Sequence, residues 1–165
     1  MTEQTVARQL LARAIHERYR QNQRAIKAPD DTAMRPWEEL PESLRESNRQ
    51  QADDIAAKLR AIGCELRPAA AGAQAAFVIT EEELELLAER EHERWVAERR
   101  AAGWIAGPAR DVERKITPYL VPYAILPEEV REWDRQAVRA IPEVLAIAGF
   151  EVYRRSGGAL PAQFE

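Results

Sequence analysis

The 165-residue sequence has few of the residue types that carry common chemistries: one cysteine, two histidines and three lysines. A single cysteine, Cys64, excludes an internal disulfide framework and a cysteine-rich zinc site. Because the start of the sequence also lacks a charged and then apolar leader, we expect a reducing, cytoplasmic location. No metal ion and no other cofactor is expected, since no spacing of metal ligands and no glycine-rich phosphate loop occurs.

Long apolar runs are missing as well. The longest contain five residues, as from Ala75 to Ile79, whereas a membrane span needs about 18 to 20. Membrane insertion is therefore excluded. The 24 basic and 28 acidic residues give a net charge of -4, which argues against a DNA or RNA polymer as partner. Hydrophobic and charged fractions of 45% and 32% are those of an ordinary globular protein.

Hydrophobic periodicity and capping signals predict a mostly helical fold. Apolar residues at three- and four-residue spacing predict a first helix over residues 2–25. One interrupted or two short helices follow and end at Gly63, before a short extended segment at 64–66. A capping box formed by Thr80 and Glu83 opens a helix that runs to about Ala102. Residues 103–123 are predicted to be irregular, and two further helices begin near Pro127 and Pro142.

The sequence repeats itself. His16-Glu-Arg-Tyr19 matches His92-Glu-Arg-Trp95, and after an insertion of about ten residues the match resumes, with residues 36–65 corresponding to 122–151. Twelve positions are identical in that gapless window: Pro36, Leu40, Pro41, Glu42, Arg45, Glu46, Arg49, Gln50, Ile55, Leu59, Gly63 and Glu65. The chain is therefore interpreted as a tandem duplication whose copies pack about a pseudo-twofold axis. The predicted boundaries are 1–68 for the first copy, 69–79 for a linker, 80–155 for the second copy and 156–165 for a tail.

Catalysis is not expected. His16 and His92 occupy equivalent positions, and duplicated positions usually serve structure, so both are predicted to be hydrogen-bonded and partly buried. Cys64 is predicted to be a small buried side chain. A nucleotide hydrolase that uses Glu91, Glu93 or Glu98 is an alternative, although no motif supports it.

Two aromatic residues are the most informative. Tyr19 and Trp95 hold equivalent positions among polar neighbours, so a pseudo-twofold axis between the copies would place them face to face. Two aromatic faces about 7 Å apart would clamp a flat ring by stacking. Alternatively, both side chains only pack in the interface between the copies and stabilise it.

Three polar residues are further candidates for binding a ligand. In the insertion, Arg110 could present its guanidinium to an anion, with Trp104 as an anchor and glycines for close approach. The alternative is a local contact between Arg110 and Asp111. Asn48 and Asp134 are equivalent positions that could read a purine edge, or could be ordinary exposed helix residues.

The motifs of the second copy together resemble the ryanodine receptor repeat, the RyR domain. They are His92-Glu-Arg-Trp95, Gly103-Trp104, Gly107-Pro108-Ala-Arg110-Asp111, Leu120-Val-Pro-Tyr123, Leu126-Pro127 and Ala148-Gly149-Phe150. The first copy resembles a shortened version of the same unit.

The resemblance implies a mostly α-helical pair of repeats with short extended segments that holds an adenine-type nucleotide between them without turning it over. Tyr19 and Trp95 would sandwich the base, Arg99 and Arg110 would bind phosphate, and Asn48 or Asp134 would read the base edge. Related stand-alone proteins imply a sensor of nucleotides or nucleotide-derived messengers in a bacterial or phage conflict system.

The chief alternative function is a protein-interaction module that uses exposed aromatics and arginines. The sequence leaves open which nucleotide binds and whether the protein is a monomer or a homodimer.

Overall fold

The computed structural model describes residues 2–70 and 77–155. In chain order the helices are α1 (Glu3–Gln23), α2 (Glu42–Ala61), α3 (Glu81–Ala101), α4 (Glu128–Arg139) and α5 (Ile141–Ala148). The strands are β1 (Cys64–Pro68), β2 (Ile105–Ala106), β3 (Ile116–Thr117) and β4 (Phe150–Arg154). The prediction of a mostly helical fold with short extended segments is confirmed. Most of the predicted linker and the whole predicted tail lie outside the described residues.

The chain forms two compact units. One comprises Met1–Phe77 and Ile141–Glu165, and the other comprises Val78–Ala140. The predicted repeat boundaries are based on equivalent positions in the sequence, and they stay a prediction. The two units are defined instead by which segments pack together. The difference concerns α5 and β4, which follow α4 in sequence but pack within the first unit.

In the first unit, α1 packs against α2 and α5, and β1 pairs with β4. Helix α1 begins at Thr2, whose hydroxyl accepts a hydrogen bond from the Thr5 amide at 3.2 Å. The strands are antiparallel, with Leu66 opposite Val152. The core of this unit consists of small and branched apolar side chains, among them Leu11, Ala12, Leu59, Cys64 and Leu145. The burial of Cys64 confirms its predicted role.

Helix α2 differs from its prediction. One interrupted or two short helices were expected, but α2 runs without a break after a short 3-10 helix at Trp37–Glu39. The reason is that its interior contains no proline. In the equivalent stretch of sequence, Pro142 lacks the backbone N–H that a continuous helix would need, and α4 and α5 are separate helices with Ala140 between them.

In the second unit, α3 packs against α4. The predicted capping box is confirmed: the Glu83 amide donates to the Thr80 hydroxyl at 3.2 Å, and the Thr80 amide donates to the Glu83 carboxylate at 3.3 Å. The segment after α3 was predicted to be irregular. It instead contains a small parallel sheet, in which β2 pairs with β3.

Among the described residues, no helix is both long enough and apolar enough to cross a membrane.

Candidate functional site

One side of α3 carries the predicted aromatic residue together with two polar ones. His92, Trp95 and Arg99 follow one another at spacings of three and four residues, which places them on one face of a helix. Since α3 is continuous from Glu81 to Ala101, these side chains are held on a regular scaffold.

His92 is the buried residue of this face. It is 3% exposed, and its Nε2 donates to the carbonyl oxygen of Val121 at 2.6 Å. Its Nδ1 lies 3.5 Å from the carboxylate of Asp134, and its ring lies against that of Tyr123, with centroids 6.3 Å apart. These contacts hold the imidazole in one orientation.

The equivalent histidine of the first unit makes two corresponding contacts. His16 is 4% exposed, its Nε2 donates to the Arg35 carbonyl at 2.6 Å, and its ring lies 6.2 Å from that of Trp37. The prediction that both histidines are hydrogen-bonded is therefore confirmed, and both are more deeply buried than the partial burial that was predicted.

Trp95 lies in a row of stacked groups. Its ring is 5.8 Å from the His92 ring, with an angle of 21° between the two planes. The guanidinium carbon of Arg99 lies 5.5 Å from the Trp95 ring centroid and 5.2 Å from that of Trp104. Trp95 and Trp104 are both half-buried. The Arg99 guanidinium is therefore over two indole rings, an arrangement stabilised by cation–π attraction.

Arg99 has no acidic partner among the described residues. It is half-buried, and within the described part of the chain its Nε is buried without a hydrogen-bond acceptor. Each other arginine of similar burial there faces a carboxylate; Arg18 lies 2.8 Å from Glu143, for example. Arg99 thus carries a positive charge that no carboxylate in the described part of the chain balances.

Arg94, on the same helix, shows the contrast. It donates to Glu91 at 2.7 and 3.0 Å and to Glu98 at 2.6 Å. Burial alone would lower the pKa of Arg94, but its hydrogen bonds and charge interactions with Glu91 and Glu98 outweigh this effect and raise the pKa. Two of the glutamates considered for a hydrolase therefore hold an arginine.

The segment after α3 is ordered by its own contacts. The Lys115 ammonium donates to the Ala102 carbonyl at 2.8 Å, which stabilises the carboxyl end of α3. A Cβ atom at Gly107 would lie 2.3 Å from Cγ2 of Ile116. The glycine therefore admits a neighbouring side chain, whereas the sequence suggested that glycines here serve close approach of a ligand.

Arg110 lies in this segment and is exposed. The suggested local contact between Arg110 and Asp111 does not occur among the described contacts; Asp111 instead lies 3.7 Å from the guanidinium of Arg114 and accepts from the Arg114 amide at 3.1 Å. Arg110 remains a candidate for binding an anion.

The other predicted site residues lie in separate elements. Asn48 is half-buried on α2, and Asp134 is half-buried on α4 beside His92. Tyr19 is half-buried on α1, where the Lys27 ammonium lies 5.3 Å from its ring centroid. A hydrogen bond with Tyr19 raises the pKa of Lys27. Tyr19 belongs to the first unit and Trp95 to the second, and their predicted pairing stays a prediction.

The described residues of the first unit line two pockets that are open to solvent. One, of about 1090 Å³, is lined by α1, the end of α2 and β1. The other, of about 380 Å³, is lined by residues of α1 and by Trp37, among others. Tyr19 and Asn48 line neither of them. Within residues 2–70 and 77–155, no group of three or more histidine, cysteine or acidic side chains is arranged to hold a metal ion.

The family model of the RyR domain matches residues 79–154 of this chain. This range contains all of the motifs on which the resemblance of the second copy was based, and the match supports the RyR family for this part of the sequence. It includes Trp95, Arg99, Trp104, Arg110 and Asp134.

The sequence pattern indicates only part of the role of Trp104. It was predicted only as an anchor for the segment that contains Arg110, whereas it shares the Arg99 guanidinium with Trp95. A signal was available: Arg99 lies four residues after one tryptophan and five before another, at the end of a predicted helix.

Proposed function

We propose that this protein binds a purine nucleotide, or a messenger derived from one, at the carboxyl end of α3 and does not turn it over. Trp95 stacks on the base, and Arg99 and Arg110 bind phosphate. The unbalanced, half-buried charge of Arg99 beside two indoles is the observation that carries this proposal. An anion attached to a flat ring matches both features.

The proposal includes a tandem pair of RyR repeats related by a pseudo-twofold axis. Contacts at equivalent positions support it. The His16 bond to the Arg35 carbonyl corresponds to that of His92 to Val121, both at 2.6 Å. The strand pair β1–β4 consists of equivalent residues, with Leu66 and Val152 opposite each other. An antiparallel pair of equivalent strands has local twofold symmetry by construction.

The remaining roles are part of the same proposal. Asn48 or Asp134 reads the edge of the base, and Tyr19 contributes a second aromatic face. The protein acts as a cytoplasmic sensor in a bacterial or phage signalling system.

Replacement of Trp95 by alanine tests the proposal. We expect Trp95→Ala to weaken nucleotide binding by about 1 to 3 kcal/mol, because stacking of one base on an aromatic side chain contributes about this much. Isothermal titration calorimetry with ATP, ADP-ribose and cyclic nucleotides measures the loss. Trp133→Ala is the matched control, since Trp133 is 57% exposed on α4. If the unaltered protein gives neither heat nor a thermal shift with any of these compounds, the proposed function is wrong.

The protein-interaction alternative has its own supporting observation. Trp133 is 57% exposed and Ile125 is 67% exposed, and the Tyr119 ring lies edge-on to Trp133 with centroids 5.8 Å apart. Exposed aromatics are typical of interface hot spots. Light scattering separates the two functions: a mass that falls from dimer to monomer in Trp133→Ala would favour self-association.

A further inference from the structure

Tyr19 carries a hydroxyl group that its equivalent in the second copy, Trp95, does not have. The Lys27 ammonium lies 5.3 Å from the centroid of the Tyr19 ring and forms a hydrogen bond with Tyr19. Because an ammonium group has donors only, it donates to the hydroxyl oxygen in this bond. A bond at the far end of the ring restricts rotation of the Tyr19 side chain.

The backbone after α1 keeps Lys27 close to the end of that helix. The Ile26 amide donates to the Gln23 carbonyl at 3.0 Å, and the Lys27 amide donates to the same carbonyl at 2.9 Å. These two bonds fold residues 24–27 into a turn, and Lys27 is half-buried in it, whereas Ile26 is exposed. The position of Lys27 is therefore set by the backbone and does not depend on its contact with Tyr19.

Asp31 lies on another side of the Lys27 ammonium. One of its carboxylate oxygens is 3.8 Å from the Lys27 nitrogen, and the other accepts a hydrogen bond from the Ala33 amide at 2.9 Å. Ala33 belongs to a short 3-10 helix, Thr32–Met34, whose last carbonyl accepts from the Arg20 guanidinium on α1 at 3.0 Å. The ammonium is thus oriented by a segment that is itself bonded to α1.

The two copies place a cation at their aromatic residue by different means. In the second copy this cation is Arg99, whose guanidinium carbon lies 5.5 Å from the Trp95 ring centroid. Gln23 takes the position equivalent to Arg99 in the first copy, so no guanidinium is available there. Lys27, which comes from the turn after the helix, contacts Tyr19 instead.

We infer that Lys27 is a positioning residue of the proposed base site, where it holds the Tyr19 ring through its hydroxyl in the orientation that stacks on a base. This inference rests on the proposed function and extends it, because it gives a role to a hydroxyl that tryptophan would lack at this position. A ring that is oriented before the ligand arrives loses less conformational freedom on binding, which raises the affinity. Lys27 acts through Tyr19 and does not bind the phosphate.

Ligands with and without phosphate separate positioning from a phosphate contact. Tyr19→Phe keeps the ring but removes the hydroxyl, and Lys27→Met removes the ammonium. Each should weaken the binding of adenosine and of ATP by the same factor, about fivefold, because one hydrogen bond is lost and stacking involves only the base. Isothermal titration calorimetry measures the affinities. Arg24→Met is the matched control, since it removes an exposed cation of the same segment and should change neither affinity.

The double variant tests whether the hydroxyl and the ammonium act together. Since both single changes remove the same hydrogen bond, Tyr19→Phe combined with Lys27→Met should bind adenosine no more weakly than either single variant does. Losses that multiply in the double variant would overturn the inference. A loss for ATP without a loss for adenosine in Lys27→Met would overturn it as well, because it would show a phosphate contact.

The contact between Lys27 and Tyr19 is also tested without a nucleotide. The hydrogen bond with Tyr19 raises the pKa of Lys27, so this pKa should fall in Tyr19→Phe and stay unchanged in Tyr119→Phe. NMR titration of the lysine side chains measures it, and with three lysines in the chain the signal that disappears in Lys27→Met is assigned directly. An unchanged pKa of Lys27 in Tyr19→Phe would overturn the inference. Failure of every nucleotide to bind the unaltered protein would contradict the proposed function, whatever the pKa of Lys27.

Discussion

Two basic side chains that are wholly or partly removed from solvent, Lys58 and Arg99, differ in the groups that surround their charge. Lys58 is 5% exposed on α2, and its ammonium lies 2.6 Å from the carboxylate of Asp54, one turn earlier. Arg99, by contrast, is half-buried beside two indole rings, and no carboxylate of the described residues pairs with it. The paired charge of Lys58 contributes to the stability of the fold, whereas that of Arg99 supports the proposed binding of an anion.

Removal of one member of the buried ion pair should lower the free energy of unfolding. We expect Lys58→Met to lower the free energy of unfolding by about 3 kcal/mol, because it leaves the Asp54 carboxylate without its ammonium partner in a poorly solvated place. Urea unfolding followed by circular dichroism measures the loss. Lys27→Met is the control, since Lys27 lies 3.8 Å from Asp31 on the surface and such pairs contribute about 1 kcal/mol or less. Equal losses in the two variants would contradict the assignment of Lys58 to the core.

At the scale of elements, a network of charges joins α3 to α4. Arg135 on α4 donates to Glu85 on α3 and to Glu128 and Glu132 on its own helix. Tyr123 also donates to Glu85, at 3.2 Å. The hydrogen bond from Arg135, assisted by that from Tyr123, lowers the pKa of Glu85, and hydrogen bonds with arginines likewise lower the pKa values of Glu128 and Glu132.

These shifts predict how the second unit responds to acid. A carboxyl whose pKa is lower in the folded state than in the unfolded chain stabilises the fold above its unfolded value of 4.5 and loses that contribution as the pH falls through the folded value. We therefore expect the melting temperature to be constant near neutral pH and to fall below about pH 4.5. Because the three glutamates are largely exposed, the effect of each is modest.

The Glu85→Gln variant tests whether this charge network causes the fall in melting temperature at acid pH. This variant should reduce the acid-dependent fall in melting temperature, measured by calorimetry between about pH 3 and pH 7. Glu89→Gln, an exposed position on the same helix, provides the comparison. A fall that is as steep in Glu85→Gln as in the unaltered protein would exclude Glu85 as a contributor.

At the scale of the whole chain, the first unit is assembled from segments far apart in sequence. Its sheet joins β1 to β4, with the Ala69 amide donating to the Gly149 carbonyl at 2.9 Å and the Arg155 amide donating to the Gly63 carbonyl at 3.0 Å. Gly63 and Gly149 have φ values of +73° and +81°, a conformation that strongly favours glycine and ends the preceding helix. Two equivalent helix ends therefore lead into the two strands that pair.

Disruption of β4 should consequently affect β1. Val152 is 9% exposed opposite Leu66. We expect Val152→Asp to lower the free energy of unfolding by about 2 to 4 kcal/mol, since it puts a carboxylate in an apolar site. Hydrogen exchange measured by mass spectrometry should become faster in residues 64–68 as well as in residues 150–154. Val112→Asp is the control, because Val112 is 60% exposed. Unchanged exchange in β1 would contradict the pairing.

Features that depend on neighbouring residues can be predicted from the sequence. The start of α3 follows from the capping box, and the ends of the segments before β1 and β4 follow from Gly63 and Gly149. Both features involve groups only a few residues apart, so spacing is sufficient to predict them. The repeated motif also indicated a structural role for the two histidines, although their carbonyl partners lie 19 and 29 residues away in the sequence.

Contacts between groups far apart in the chain follow from the packing of the folded structure. Nothing in the spacing of β1 and β4 indicates that they pair with each other, because strand pairing depends on how the other elements of the first unit pack. The same holds for the site. Arg99 was identified by resemblance as a phosphate ligand, but the contact of its guanidinium with both Trp95 and Trp104 depends on side-chain orientations, which residue spacing does not give.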